Sequence, residues 1–149
     1  MHLMRSLLDV NVLVALFDER HIHNKLAHDW LGKNLKHGWA SCPITENGLI
    51  RILSNPSYSR VHRFTVEDIA SRLRDFRDST DHEFWPDSLS ILDSSQFDVN
   101  AILGPRQLTD VYLLGLASNQ GGRFVTFDRT IPKHAATQAK GPTLDVILN

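Results

Sequence analysis

The chain has 149 residues and a mass of 16.9 kDa, enough for one domain and too little for two ordinary ones. With 42% hydrophobic and 22% charged residues, its composition is that of a folding globular domain and excludes intrinsic disorder. A single cysteine, Cys42, excludes both a disulfide framework and a cysteine-rich zinc site. No apolar run approaches the roughly 18 residues of a membrane span. Met1 to Asp9 meets Arg5 before a signal-peptide core could form. The expectation is a single domain over 1–149, soluble in a reducing cytoplasm, with no membrane partner. Sixteen Lys and Arg against seventeen Asp and Glu give a net charge of −1. That near-neutrality leaves a nucleic-acid partner open, because committing four acids to metal ions would leave a positive remainder.

In chain order, short apolar runs alternate with helical periods, the pattern of an α/β domain. Arg5–Leu8 reads as a first strand ending at Asp9. Asp9 or Asn11 can cap a helix over about Val12–Phe17, apolar on nearly every side and therefore expected to be buried. A second helix is predicted over Asn24–Lys36, with Leu26, Ala27, Trp30 and Leu31 as its inner stripe. Trp39–Cys42 is a second strand. Pro43 suits the first turn of the helix that follows, which Ile44, Leu49, Ile50 and Leu53 continue until Asn55-Pro56. Val66, Ile69, Leu73 and Phe76 are spaced 3, 4 and 3, an amphipathic helix with Arg72, Arg74 and Arg77 on its wet face. Glu83–Trp85 reads as a third strand and Pro86 to Pro105 as a loop with room for a short helix. Leu108 to Asn119 is helical and is stopped by Gly121-Gly122. Arg123–Phe127 is a strong strand ending at Asp128, and a last strand is expected near Leu144–Leu148. The fold expected is a three-layer α/β/α sandwich around a mainly parallel sheet.

Two of these strands stop on an aspartate, Asp9 and Asp128. In open parallel sheets, ligands bind beyond the carboxyl ends of the strands, so both acids point toward one crevice. Glu46 lies in the first turns of the helix after the second strand, and Asp110 in the first turn of the helix from Leu108. Helix starts rise from the same rim, so four carboxylates from segments spread over the chain can converge. Singly, each acid has a plainer role: Asp9 as a helix cap, Glu46 and Asp110 as acids favoured by the helix dipole, Asp128 as a turn residue or the partner of Arg129. Their joint placement is what points to chemistry. Clustered carboxylates raise one another's pKa unless a cation neutralises them, and oxygen-only ligation suits Mg²⁺ or Mn²⁺. Such ions clamp a phosphodiester and lower the pKa of an attacking water, which is nuclease chemistry.

The residues that carry this pattern resemble a known family. Leu8-Asp9-Val10-Asn11-Val12-Leu13, Ile44-Thr45-Glu46-Asn47-Gly48-Leu49-Ile50-Arg51-Ile52, Leu108-Thr109-Asp110 running on to Ala117, and Val125-Thr126-Phe127-Asp128-Arg129 are similar to the motifs of PIN-domain nucleases. They are most similar to VapC-type toxins of bacterial toxin–antitoxin pairs. His82-Glu83-Phe84-Trp85-Pro86-Asp87 and Gly104-Pro105-Arg106-Gln107 resemble one VapC subgroup. The resemblance implies a Mg²⁺-dependent endoribonuclease, with Mn²⁺ as a substitute, acting on RNA, restrained by a VapB-type antitoxin and forming a homodimer. It implies that Asp9, Glu46, Asp110 and Asp128 are the metal-binding and catalytic acids, with Thr126 orienting water or an acid. Thr130 stands where many members carry a fifth acid.

Other residues fit plainer roles or rival functions. His21, His23 and His28 follow no zinc-ligand spacing and are expected to decorate the second helix. Arg51, Arg60 and Arg63 with Tyr58 suit either an RNA grip or a solvated helix end. Trp30, Trp39 and Trp85 are expected in the core or a dimer interface, and Cys42 is expected to be buried. A phosphoryl-acceptor receiver domain would need an acidic pair after the first strand and a lysine after the last; Asp9-Val10 and Asp128-Arg129 stand there instead. A catalytically silent PIN-like module that binds RNA or protein is the alternative, and four retained acids argue against it.

Overall fold

The computed structural model describes residues 4–148; the reading of the chain start at Met1–Leu3 lies outside them. Five strands, β1 (Ser6–Leu8), β2 (Trp39–Ser41), β3 (His82–Phe84), β4 (Arg123–Thr126) and β5 (Leu144–Val146), form one sheet in the order β3-β2-β1-β4-β5. Every pairing is parallel, so the mainly parallel sheet expected from the sequence is wholly parallel among the described residues. Parallel strands need covered crossovers, which explains the apolar content of β1 and β4 on both faces.

Strand alternation splits the core in two. Leu8, Trp39 and Val125 face α1 (Val10–Phe17), α2 (Asn24–Asn34), α3 (Pro43–Ser54) and α4 (Val66–Ser79). Leu7, Ala40 and Phe124 face α5 (Leu108–Asn119), together with Trp85 and Phe97. The result is the expected three layers. Helix α1 is buried over Val12–Phe17, as its uniformly apolar sequence requires. Pro43 opens α3, and Thr45 Oγ1 accepts the Cys42 N–H at 3.0 Å, so Cys42 is fixed and buried. Thr65 and Asp68 cap α4 reciprocally.

The differences from expectation are local. Helix α2 ends at Asn34 and tightens into a 3₁₀ turn over Leu35–His37. The third strand is shifted one residue toward the N-terminus of the chain. Trp85 leaves it, donates its N–H to Ser41 O at 2.8 Å and buries its ring. Val66, assigned to the inner stripe of α4, is 60% exposed, whereas Ile69 and Leu73 are buried. Val66 is the first residue of that helix, where the face has not yet met the layer beneath. Trp39 and Trp85 are core residues. Trp30 is partly buried, and its indole N–H donates to Asp145.

Candidate active site: an acidic cleft at the carboxyl end of the sheet

Asp9 follows β1 directly and occupies the N-cap position of α1, yet its side chain makes no cap hydrogen bond. The carboxylate is buried, at 5% exposure, and Oδ2 accepts from Thr126 Oγ1 at 2.7 Å. Thr126 ends β4, the neighbour of β1, and its hydroxyl oxygen accepts the Asp128 N–H at 3.1 Å. One buried hydroxyl thus ties two acids together. Asp128 Oδ1 in turn accepts the hydroxyl and the backbone N–H of Thr130, each at 2.7 Å. These two donors hold the Asp128 carboxyl below its usual range. Thr130, at the position of the family's fifth acid, serves here as a hydrogen-bond donor.

Asp110 stands in the first turn of α5. Burial, then the charges of Asp9 and Asp128 and a hydrogen bond to Asp128, push its carboxyl up to about 7. Burial also raises Asp9, opposed by the Thr126 hydroxyl and reinforced by Asp128. The three aspartates therefore sense one another electrostatically. Beside Asp9 and Asp110 opens a cleft of about 540 Å³, whose walls include Asn11, Asn47, Arg51 and Arg106.

Glu46 sits differently. Its Oε2 accepts the Ser41 hydroxyl at 2.6 Å and Arg77 Nη1 at 3.1 Å. Ser41 Oγ also lies 2.7 Å from His82 Nε2. Burial, then Arg77 and Arg5, lower the His82 pKa to about 4. Because Ser41 gives its hydroxyl proton to Glu46, the neutral ring is assigned as the donor to Ser41 through Nε2. Helix α3 thus turns Asn47 into the cleft and Glu46 toward β3 and α4. Of the four acids expected to converge, the structure brings three aspartates into mutual range, whereas Glu46 is turned away from them to Ser41 and Arg77.

Arg77, Ser41, Asn47 and Arg106 were not singled out as site residues in the sequence. Arg77 was hidden by its place on an arginine-rich helix face, and Arg106 had only its position four residues before Asp110 as a signal. The Tyr58 group disperses: Tyr58 donates to Asp18, Arg63 to Pro56 O, and only Arg51 reaches the cleft. His21 Nδ1 accepts the His23 N–H, His23 lies against Phe127, and His28 contacts Leu16 O.

The donor chemistry fits a hard divalent cation, because the cleft acids offer only oxygen and crowd enough to shift one another's pKa. Among the described residues, no three His, Cys, Asp or Glu side chains stand close enough to grip one ion together. Asp9 is held instead by Thr126 and Asp128 by Thr130.

Residues 6–136 match the model of the PIN domain family. The chain is 45% identical over 141 residues to Ribonuclease VapC44 of Mycobacterium tuberculosis, covering 94% of this chain and 95% of that protein. It is 40% identical over 133 residues to Ribonuclease VapC39 of the same organism, covering 89% and 95%. The fold is similar to that of VapBC2 from Rickettsia felis, solved bound to a DNA fragment from its promoter. That similarity has a TM-score of 0.57 at 18% identity, over 96% of this chain and 98% of that one. PAE2754 from Pyrobaculum aerophilum gives 0.53 at 21% identity, over 96% and 84%. With these matches across nearly its whole length, and with three of the expected acids at one rim of an all-parallel sheet, the chain belongs to the PIN-domain family, among the VapC relatives.

Proposed function

We propose that this protein is the endoribonuclease toxin of a VapBC-type pair and hydrolyses RNA phosphodiesters with Mg²⁺, for which Mn²⁺ substitutes. The observation that carries the proposal is the pairing of Asp9 and Asp110 in one cleft, with Asp128 close enough to act on both, in a chain 45% identical to a named ribonuclease. We assign the cation to Asp9, Asp110 and Asp128 together with Glu46, the acid that α3 contributes from beside the cleft. A bound divalent ion would lower the pKa of the attacking water and offset charge on the phosphodiester. The chain's own residues supply the rest. Thr126 orients Asp9 and holds the backbone that carries Asp128, and Thr130 keeps Asp128 ionised at neutral pH. Asp110 retains its proton up to about pH 7, a proton that a bound cation would displace.

Two further parts complete the proposal. A cleft lined by carboxylates attracts a guanidinium, so a VapB-type antitoxin would restrain the toxin by placing an arginine against Asp9 or Asp110. We also propose a homodimer acting in the cytoplasm, where its RNA is found; among the described residues no helix is long and apolar enough to cross a membrane.

The test is cleavage of RNA by wild type and by Asp9→Asn, Asp110→Asn and Asp128→Asn, with product ends labelled. Water as the nucleophile leaves a 5′-phosphate and a 3′-hydroxyl and does not use the RNA's own 2′-hydroxyl to attack. Each variant is expected to fold and to lose activity by orders of magnitude. Cyclic phosphate ends formed in excess chelator would overturn the assignment.

A further inference from the structure

Five of the eleven arginines are committed through their side chains to protein partners among the described residues: Arg5 binds Asp81, Arg63 binds Pro56 O, Arg72 binds Phe17 O, Arg77 binds Glu46 and Arg123 binds Asn34. Of the other six, Arg51 and Arg106 are set apart by their place. Both line the acidic cleft, one from α3 and one from the 3₁₀ turn Pro105–Gln107 ahead of α5, and both are exposed. Among the described residues neither forms an ion pair or a side-chain hydrogen bond. Guanidinium groups that stand beside carboxylates yet pair with none are available to an anion that enters between them.

A second cavity continues the cleft along α5. It holds about 240 Å³, shares Ile44 and Thr109 with the cleft, and is otherwise walled by apolar side chains and the ring of Tyr112. The Tyr112 hydroxyl is tied to Leu89 O at 3.0 Å, so tyrosine adds ring carbon rather than a free polar group to the wall of this cavity. A flat, largely apolar heterocycle attached to a phosphate held by arginine matches this pair of neighbouring sites. A base stacked inside a duplex could not reach the cavity, whereas a splayed base of a single strand could.

We infer that Arg51 and Arg106 hold the backbone phosphates of an unpaired RNA strand across the cleft, while one of its bases enters the apolar cavity between Ile44, Leu108 and Tyr112. The inference rests on the ribonuclease assignment of the cleft and adds to it the residues that hold the strand and the cavity that takes a base.

The experiment measures binding by the full chain in excess chelator, by fluorescence anisotropy over a range of salt. The probes are a short labelled RNA of mixed sequence, the same strand with abasic residues, and the same strand annealed into a duplex. Wild type should bind the base-bearing strand about tenfold more tightly than the abasic strand, and the duplex more weakly than the single strand. Arg51→Gln and Arg106→Gln should each flatten the slope of log affinity against log salt by about 0.7, on either strand. Leu108→Ala, at a half-exposed position, should erase most of the preference for bases and leave the salt slope at its wild-type value. An unchanged slope in the double arginine variant overturns the inference, as does equal affinity for the two strands. Cleavage of the same RNA by wild type with Mn²⁺ is run alongside. If wild type cuts while the arginine variants bind as it does, only this inference falls. If wild type neither binds nor cuts RNA, the ribonuclease assignment falls with it.

Discussion

Thr126 donates its hydroxyl to Asp9 Oδ2 at 2.7 Å, from the end of one central strand to the end of the next. Because the same oxygen accepts the Asp128 N–H, this threonine sets the relative position of two acids that are 119 residues apart in the chain. It is also the hydrogen-bond donor that offsets the burial of Asp9.

Removing that hydroxyl while keeping the shape tests the link. Thr126→Val should lower RNA cleavage by about 10–100-fold, the range found when a group orienting a metal ligand is lost. It should also lower stability by about 1–3 kcal/mol, because a buried carboxylate loses its donor. Thr126→Ser restores the hydroxyl and should recover most of the activity at a small cost in packing. Cleavage rates and denaturant midpoints of the pair separate the two effects.

How much of this was legible beforehand depends on the kind of signal each residue sends. Leu7-Leu8 and Phe124-Val125 are apolar on both faces, so β1 and β4 announce themselves as central parallel strands, and Asp9 and Asp128 are placed by being next in line. Ile69 and Leu73 recur at helical spacing and are buried accordingly. Strand β3 is an edge strand with His82 half-buried and Glu83 and Phe84 exposed, so no apolar alternation marks its register, and the expected strand is displaced by one residue. Periodicity assigns a residue to a helix but does not say which neighbour turns inward when two polar residues adjoin. Glu46 and Asn47 lie about 100° apart on α3, and the choice between them is made by Arg77 and Ser41, one from a different helix. Long-range pairing of this type leaves no local trace.

The pairing of Glu46 with Arg77 makes two outcomes separable. Glu46→Gln removes the proposed fourth acid and should lower Mn²⁺ affinity and cleavage by more than about tenfold. Arg77→Gln removes only the partner, and the pair is partly solvated, so stability should change by about 1 kcal/mol or less. Cleavage by Arg77→Gln should stay within a few-fold of wild type. Equal activity of the two variants at the wild-type level would mean that Glu46 serves the fold and not the cation. Calorimetric titration of Mn²⁺ into each variant provides the second reading.

Helix α5 carries Asp110 on its first turn, and a close contact on its far side fixes where it lies. A Cβ added at Gly115 would approach the Phe97 ring to within 2.3 Å, much closer than carbon atoms come. Gly115→Ala gains helix propensity but forces the ring or the helix to move, for a net cost of about 1–3 kcal/mol. The urea midpoint should fall with the slope unchanged. Because the shift reaches Asp110 through a rigid helix, cleavage should fall as well. Phe97→Leu in the same background makes room for the methyl group and should restore part of both.

The last prediction concerns pH and follows from Asp110. Its carboxyl titrates at about 7 in the folded protein against an ordinary value of 3.8. The folded state therefore holds this proton more tightly than the unfolded chain does. The contribution of Asp110 to stability in chelator should be fully present near and below pH 4, decline as pH rises from about 4 to about 7, and be gone above that, where both states have lost the proton. Burial raises Asp9 too and adds a contribution of the same sign, whereas Asp128, held below its usual range, and His82, lowered to about 4, oppose it. Asp110→Asn keeps those other groups but has no proton to lose, so the melting temperature of wild type relative to this variant should fall across the window, and the variant should exceed wild type at pH 8. Mn²⁺ should reverse the pattern. A cation binds the ionised carboxylates, so the stabilisation it gives wild type should increase with pH over the same interval and be largely absent in the Asn variant. Thermal melts of both proteins at several pH values, in chelator and in Mn²⁺, measure all four trends. A melting-temperature difference between wild type and Asp110→Asn that stays constant from pH 4 to pH 8 in chelator would show that the three aspartates do not share one electrostatic site.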